Sequence, residues 1–117
     1  MPLVLGLVTL AGALFLVLGW MSLAGSLPPN DVAGIHTPYT RRSPGNWYAT
    51  HRAAAPVLIW VGVAVLAAGL AVLPFAIAGS LGDGLVIGLV VALGTLLFMG
   101  AIASWLYGTR AARVRPG

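Results

Sequence analysis

The chain has 117 residues, of which 60% are hydrophobic and only 7% charged, with a net charge of +4 and a mean hydropathy of +1.02. A soluble domain carries about 25% charged residues, so these figures exclude a soluble enzyme or binding module and indicate a single integral membrane domain. The six basic residues are all arginine and form no run, which argues against a nucleic-acid partner, and the lack of cysteine removes disulfides, thiolate metal sites and thiol redox chemistry.

From Leu3 to Leu27 no residue is charged. A spanning helix needs about 20 apolar residues, so 3–27 is expected to be the first transmembrane helix. The small residues from Ser22 to Ser26 resemble a signal-peptidase site. No basic residue precedes the run, however, and it exceeds the ~7–15 residues of a signal core, so a retained helix is favoured. Gly12 and Gly19, with Ala13 nearby, give one face a shallow groove suited to ordinary helix packing.

The polar stretch that follows, residues 28–55, is where any chemistry in water must reside. Between Pro28 and Arg52 lie three of the six arginines, one of the two acids, both histidines and four of the eight prolines. Pro28-Pro29-Asn30-Asp31 is expected to end the first helix, because proline supplies no backbone donor and restrains the residue before it. Residues 34–40 have no helical period and read as extended or turning backbone, with Ile35 and Tyr39 directed toward the membrane interface. Ser43 is a good N-cap and Pro44 suits the first helical position, so a short interfacial helix is predicted over 44–55. On it Trp47 and His51 share one face, and Tyr48 and Arg52 the next. Pro56 is expected to kink the chain there, at the entry to the membrane.

The second and third spans are predicted at 56–78 and 85–107, joined by an outer turn at 79–84 in which Asp83 caps the third helix. A cytoplasmic tail, 108–117, follows. Gly84, Gly88 and Ala92, then Gly100, Ser104 and Gly108, recur every four residues on the third helix and suit a seam with a neighbouring helix. The architecture expected is therefore all-α: three transmembrane helices with a motif-bearing loop between the first two.

Arg41, Arg42 and Arg52 precede the second span, and Arg110, Arg113 and Arg115 follow the third, while the opposite side carries no basic residue. The positive-inside rule then places the loop and C-terminus in the cytoplasm and the N-terminus outside, in a bacterial cytoplasmic membrane. Trp20, Trp47, Tyr48, Trp105 and Tyr107 gather at that boundary as interfacial aromatics.

No nucleophile with its base, phosphate loop or dinucleotide fingerprint is present, and no catalytic residue or cofactor is expected. His36 and His51, with Asn30 and Asp31, lack the spacing of a metal site. His51 either bonds the extended segment and holds the loop in place or acts as a proton-sensitive residue. For the arginines, topology and contact with anionic lipid are sufficient explanations. The spans hold no ionisable side chain, which counts against an ion-coupled transporter.

Asn30, the run Gly34-Ile35-His36-Thr37-Pro38-Tyr39-Thr40, Trp47 and Thr50-His51-Arg52 together resemble the signature of the SdpI family of small bacterial membrane proteins. The resemblance covers about 25 residues in detail and the flanking helices loosely. It implies a partner role for Asn30, Gly34, His36, Thr37, Trp47, His51 and Arg52. His36 stands where the pattern usually has arginine, which would weaken a contact with phosphate or a partner, or make it depend on pH. The family's named member confers immunity against a secreted killing peptide and sequesters a transcriptional repressor at the membrane. With three spans, this chain would correspond to the motif-bearing core of longer members. The resemblance thus implies an immunity or interaction protein with the bilayer, a peptide toxin or a regulatory protein as partners. An oligomeric transporter or channel component, with copies associating through the glycine-rich faces, is the alternative. A membrane-embedded hydrolase using His51 as base lacks a visible partner carboxylate.

Overall fold

The computed structural model describes residues 2–30 and 34–114, without the side chains of 112–114. The elements are three helices: α1 (Pro2–Ala24), α2 (Pro44–Ile77) and α3 (Asp83–Val114). All three are long and apolar enough to cross a membrane. Among the described residues there is no strand.

α1 stops three residues before the predicted end. Gly25 takes a left-handed conformation (φ 71°), and the Ser26 N–H donates back to the Met21 carbonyl at 2.9 Å, a glycine-terminated helix end. Leu27 to Asn30 are consequently non-helical, and the proline pair lies beyond a helix already closed. α2 closes by the same device: the N–H groups of Gly79 and Ser80 donate to the carbonyls of Ala76 and Phe75. Asp83 stands as the first residue of α3, where its carboxylate complements the positive helix end.

The separate helix predicted over 44–55 does not exist. α2 is one helix of 34 residues that passes through both Pro56 and Pro74. Proline at 56 removes the bond to the Arg52 carbonyl and crowds that carbonyl with its ring. Arg52 and Pro56 are both exposed, so that carbonyl is not trapped in the core. α3 likewise runs to Val114, well past the predicted boundary at Tyr107. Thr109 to Val114 includes two alanines and two arginines, good helix formers, and Pro116 comes only afterwards.

α2 is the central helix, packed along both neighbours, whereas α1 and α3 scarcely meet. Small residues make the α1–α2 seam. A Cβ on Gly62 would lie 2.6 Å from the Leu16 nitrogen, and one on Gly12 2.9 Å from the Leu66 nitrogen. Gly19 meets Ile59, and Gly69 meets Thr9. The glycines of α3 divide: Gly100 packs on Val61 and Gly108 on Thr50 and Ala54, while Gly84 and Gly88 have open space before them. The apolar core gathers Leu5, Val65, Ala76, Val86 and Leu93.

The molecule measures 50 × 21 × 21 Å. Hydrocarbon is about 30 Å thick, so α2 and α3 each overshoot it. The antiparallel pair overshoots at the loop end, where Gly108 of α3 sits against Thr50 of α2. That two-helix extension is the bed on which the loop lies.

Candidate functional site

Residues 27–30 and 34–52 form a hydrogen-bonded lock at this end of the bundle. Ser43 has extended backbone, and its hydroxyl accepts the Asn46 N–H at 3.1 Å, starting α2 with Pro44 in the first turn. One turn later Trp47 and His51 point inward together and are 2% and 1% exposed. Their rings lie 4.2 Å apart between centroids. The indole N–H of Trp47 donates to the Leu27 carbonyl at 2.9 Å, tying the loop's entrance to the start of α2.

His51 fixes the middle of the loop. Its Nε2 accepts the Ile35 backbone N–H at 2.8 Å, so that nitrogen carries no proton, and Nδ1–H donates to the Trp47 carbonyl at 2.8 Å. These two bonds define a neutral imidazole in a single tautomer. His51 precedes the uncharged part of α2 that crosses the membrane. Burial, chiefly, lowers its pKa from the ordinary 6.5; the bond to the Trp47 carbonyl opposes this and the neighbouring His36 adds a smaller downward push.

Gly34 lies directly over this pair. Its φ of 113° disfavours any L side chain, and a Cβ there would come within 2.6 Å of the His51 Nε2 and 3.1 Å of the Trp47 ring. His36, half-buried, packs its ring 5.3 Å from that of Trp47 and bonds the Asn30 carbonyl through Nε2. The Asn30 amide in turn donates to the Pro28 carbonyl at 2.8 Å. Thr37 and Thr40 close a turn around Pro38 by reciprocal bonds. The Thr37 N–H donates to the Thr40 hydroxyl oxygen at 2.9 Å, and the Thr40 N–H to that of Thr37 at 3.1 Å.

Six of the seven predicted residues, Asn30, Gly34, His36, Thr37, Trp47 and His51, thus meet in this lock. Arg52 stays exposed. Its guanidinium lies about 4.0 Å from where a Gly25 Cβ would be, at the C-terminal end of α1, where a cation is favoured. Trp47, predicted as an interfacial aromatic, is buried instead, because its N–H has a backbone partner inside the lock. Trp20, Trp105 and Tyr107 are exposed, as membrane-facing aromatics are. Asp31, weighed as a ligand, lies outside the described residues, and among those described no three histidines or carboxylates come together.

Two contributors were not foreseen. Thr40 is 2% exposed, and its spacing of three from Thr37 across Pro38 is a turn signal readable in the sequence. Asn46 donates its side-chain amide to the Tyr39 carbonyl at 3.0 Å; no local pattern announces that contact.

A family profile described as the SdpI/YfhL protein family matches residues 26–109. The match takes in the loop, all of α2 and most of α3. Searches of curated proteins and of solved structures find no match.

Proposed function

The chain belongs to the SdpI/YfhL family, and on that premise we propose that it is an immunity-type interaction protein of a bacterial cytoplasmic membrane. In this reading it protects the cell against a membrane-active peptide, with the loop and C-terminus in the cytoplasm and the N-terminus outside. A regulatory protein that docks on the loop is the other partner the family suggests.

The observation that carries the reading is how the loop's groups are used. The imidazole nitrogens of His51 are both engaged with backbone, so it offers no free base for hydrolysis. Trp47, Thr37 and Thr40 are buried and bonded within the chain. Arg41, Arg42 and Arg52 are left exposed on the surface that the lock holds rigid. This arrangement suits a pre-formed recognition surface rather than a catalytic cleft. The transporter or channel alternative needs several copies, and the open face of Gly84 and Gly88 on α3 is where they would pack.

The test is survival and membrane potential of sensitive cells challenged with membrane-active peptides. Cells would express the wild type, Trp47→Ala or His51→Ala at matched membrane abundance. Protection by the wild type that both variants lose supports the proposal. Cells equally sensitive with and without the wild type contradict it.

A further inference from the structure

Two cavities adjoin at the loop end of the bundle, and His36 lines both. The first, about 300 Å³, is walled by Phe15, Leu18, Leu58 and Trp105. It lies between α1 and α3, the two helices that scarcely meet. Its lining includes Ser22, 2% exposed, whose buried hydroxyl has no hydrogen-bond partner among the described residues. The second, about 400 Å³, is lined by Arg41, Arg42, Ser43 and Pro44 at the N-terminus of α2. Both arginines are exposed. The one acid among the described residues, Asp83, begins α3 at the opposite end of the molecule.

We propose that these two cavities form one site for an anionic phospholipid. Its phosphate lies between Arg41 and Arg42 beside the first turn of α2, where the guanidinium donors favour an anion. One acyl chain enters the apolar cavity beneath His36, and the other remains in the bilayer. The Ser22 hydroxyl sits near the end of α1, at the depth of the glycerol esters, and supplies a donor for an ester carbonyl. An apolar peptide would fit the first cavity but would bring no anion to Arg41 and Arg42. A volume near 300 Å³ is at the small end of ligand sites, which suits a single chain.

The test is native mass spectrometry of the full chain released from detergent micelles doped with phosphatidylglycerol or phosphatidylcholine. One phosphatidylglycerol should be retained per protein, at a concentration at least tenfold below that needed for phosphatidylcholine. The double variant Arg41→Gln/Arg42→Gln should abolish this preference. Ala101→Phe, which fills the apolar cavity from an exposed position on α3, should weaken retention of both lipids at least tenfold. If that variant does not fold, dihexanoyl phosphatidylglycerol replaces it as the probe, and its short chains should lower retention by the same factor. Millimolar inorganic phosphate should not displace the lipid. Equal retention of the two lipids, or a preference that survives loss of both arginines, would overturn the proposal. So would retention indifferent to the cavity, displacement by inorganic phosphate, or displacement of the lipid by an apolar peptide.

Discussion

At the scale of single residues, the loop depends on one imidazole and one missing side chain. Gly34→Ala meets both a left-handed backbone and a contact with His51, and non-glycine residues held in such conformations cost about 1–3 kcal/mol. Thermal unfolding in detergent should show a loss of about that size, with greater loss at a bulkier residue. His51 makes the lock sensitive to acid. Its folded pKa lies below the ordinary 6.5, so the unfolded chain binds the proton more readily. The stability it contributes is therefore complete above pH 6.5 and is lost as pH falls through the folded value. Protonation also removes the acceptor that the Ile35 N–H uses. The unfolding temperature should hold steady from pH 8 to 7 and then decline below about 6.5. His51→Gln should lower the plateau and flatten the decline. An unchanged acid-side decline in His51→Gln would transfer the effect to other groups.

At the scale of elements, close approach of backbones decides which glycines matter. Gly62→Ala would place a Cβ against the Leu16 nitrogen and the Gly12 carbonyl. Backbone atoms cannot turn aside, so α1 must move, at a cost of about 1–3 kcal/mol. Gly88→Ala meets nothing within 4 Å and gains up to about 1 kcal/mol of helix propensity. Unfolding measured side by side in detergent should therefore destabilise the first and leave the second equal to or above the wild type. This contrast also shows what could be read from the sequence. Three uncharged runs were enough to locate the spans, and Ser43-Pro44 the start of α2. The spacing of small residues on α3 was visible, but only the half ending at Gly108 faces α2, since periodicity does not say which turns of a helix find a neighbour. The end of α1 at Gly25 carried a signal of its own, a glycine ahead of the polar stretch, that the prolines further on obscured. Continuity through Pro56 had none: whether a proline bends or ends a helix depends on the packing around it, which is a tertiary fact. The pairing of Trp47 with His51 was legible as helical spacing, but the carbonyl of Leu27 that makes Trp47 a clasp was not.

At the scale of the molecule, the overshoot of α2 and α3 turns a simple three-span bundle into a membrane anchor with a rigid shelf. The loop, 19 residues between Ala24 and Pro44, belongs to a class of long connections that are either functional or disordered, and its described residues are tied down by their own side chains. The cytoplasmic placement proposed for it can be checked cleanly because the chain has no cysteine. An impermeant thiol reagent added to intact cells should label Gly82→Cys, whereas Arg42→Cys and Arg110→Cys should react only after permeabilisation. The reverse pattern would invert the orientation. The central claim is that the loop is docked by its own lock, without a partner. Hydrogen exchange of the Ile35 amide in lipid nanodiscs tests it most directly. Bonded to buried His51, that amide should exchange as slowly as helical amides of α2 in the wild type and become fast in His51→Ala. Exchange in the wild type at the rate of an unstructured amide would contradict the account.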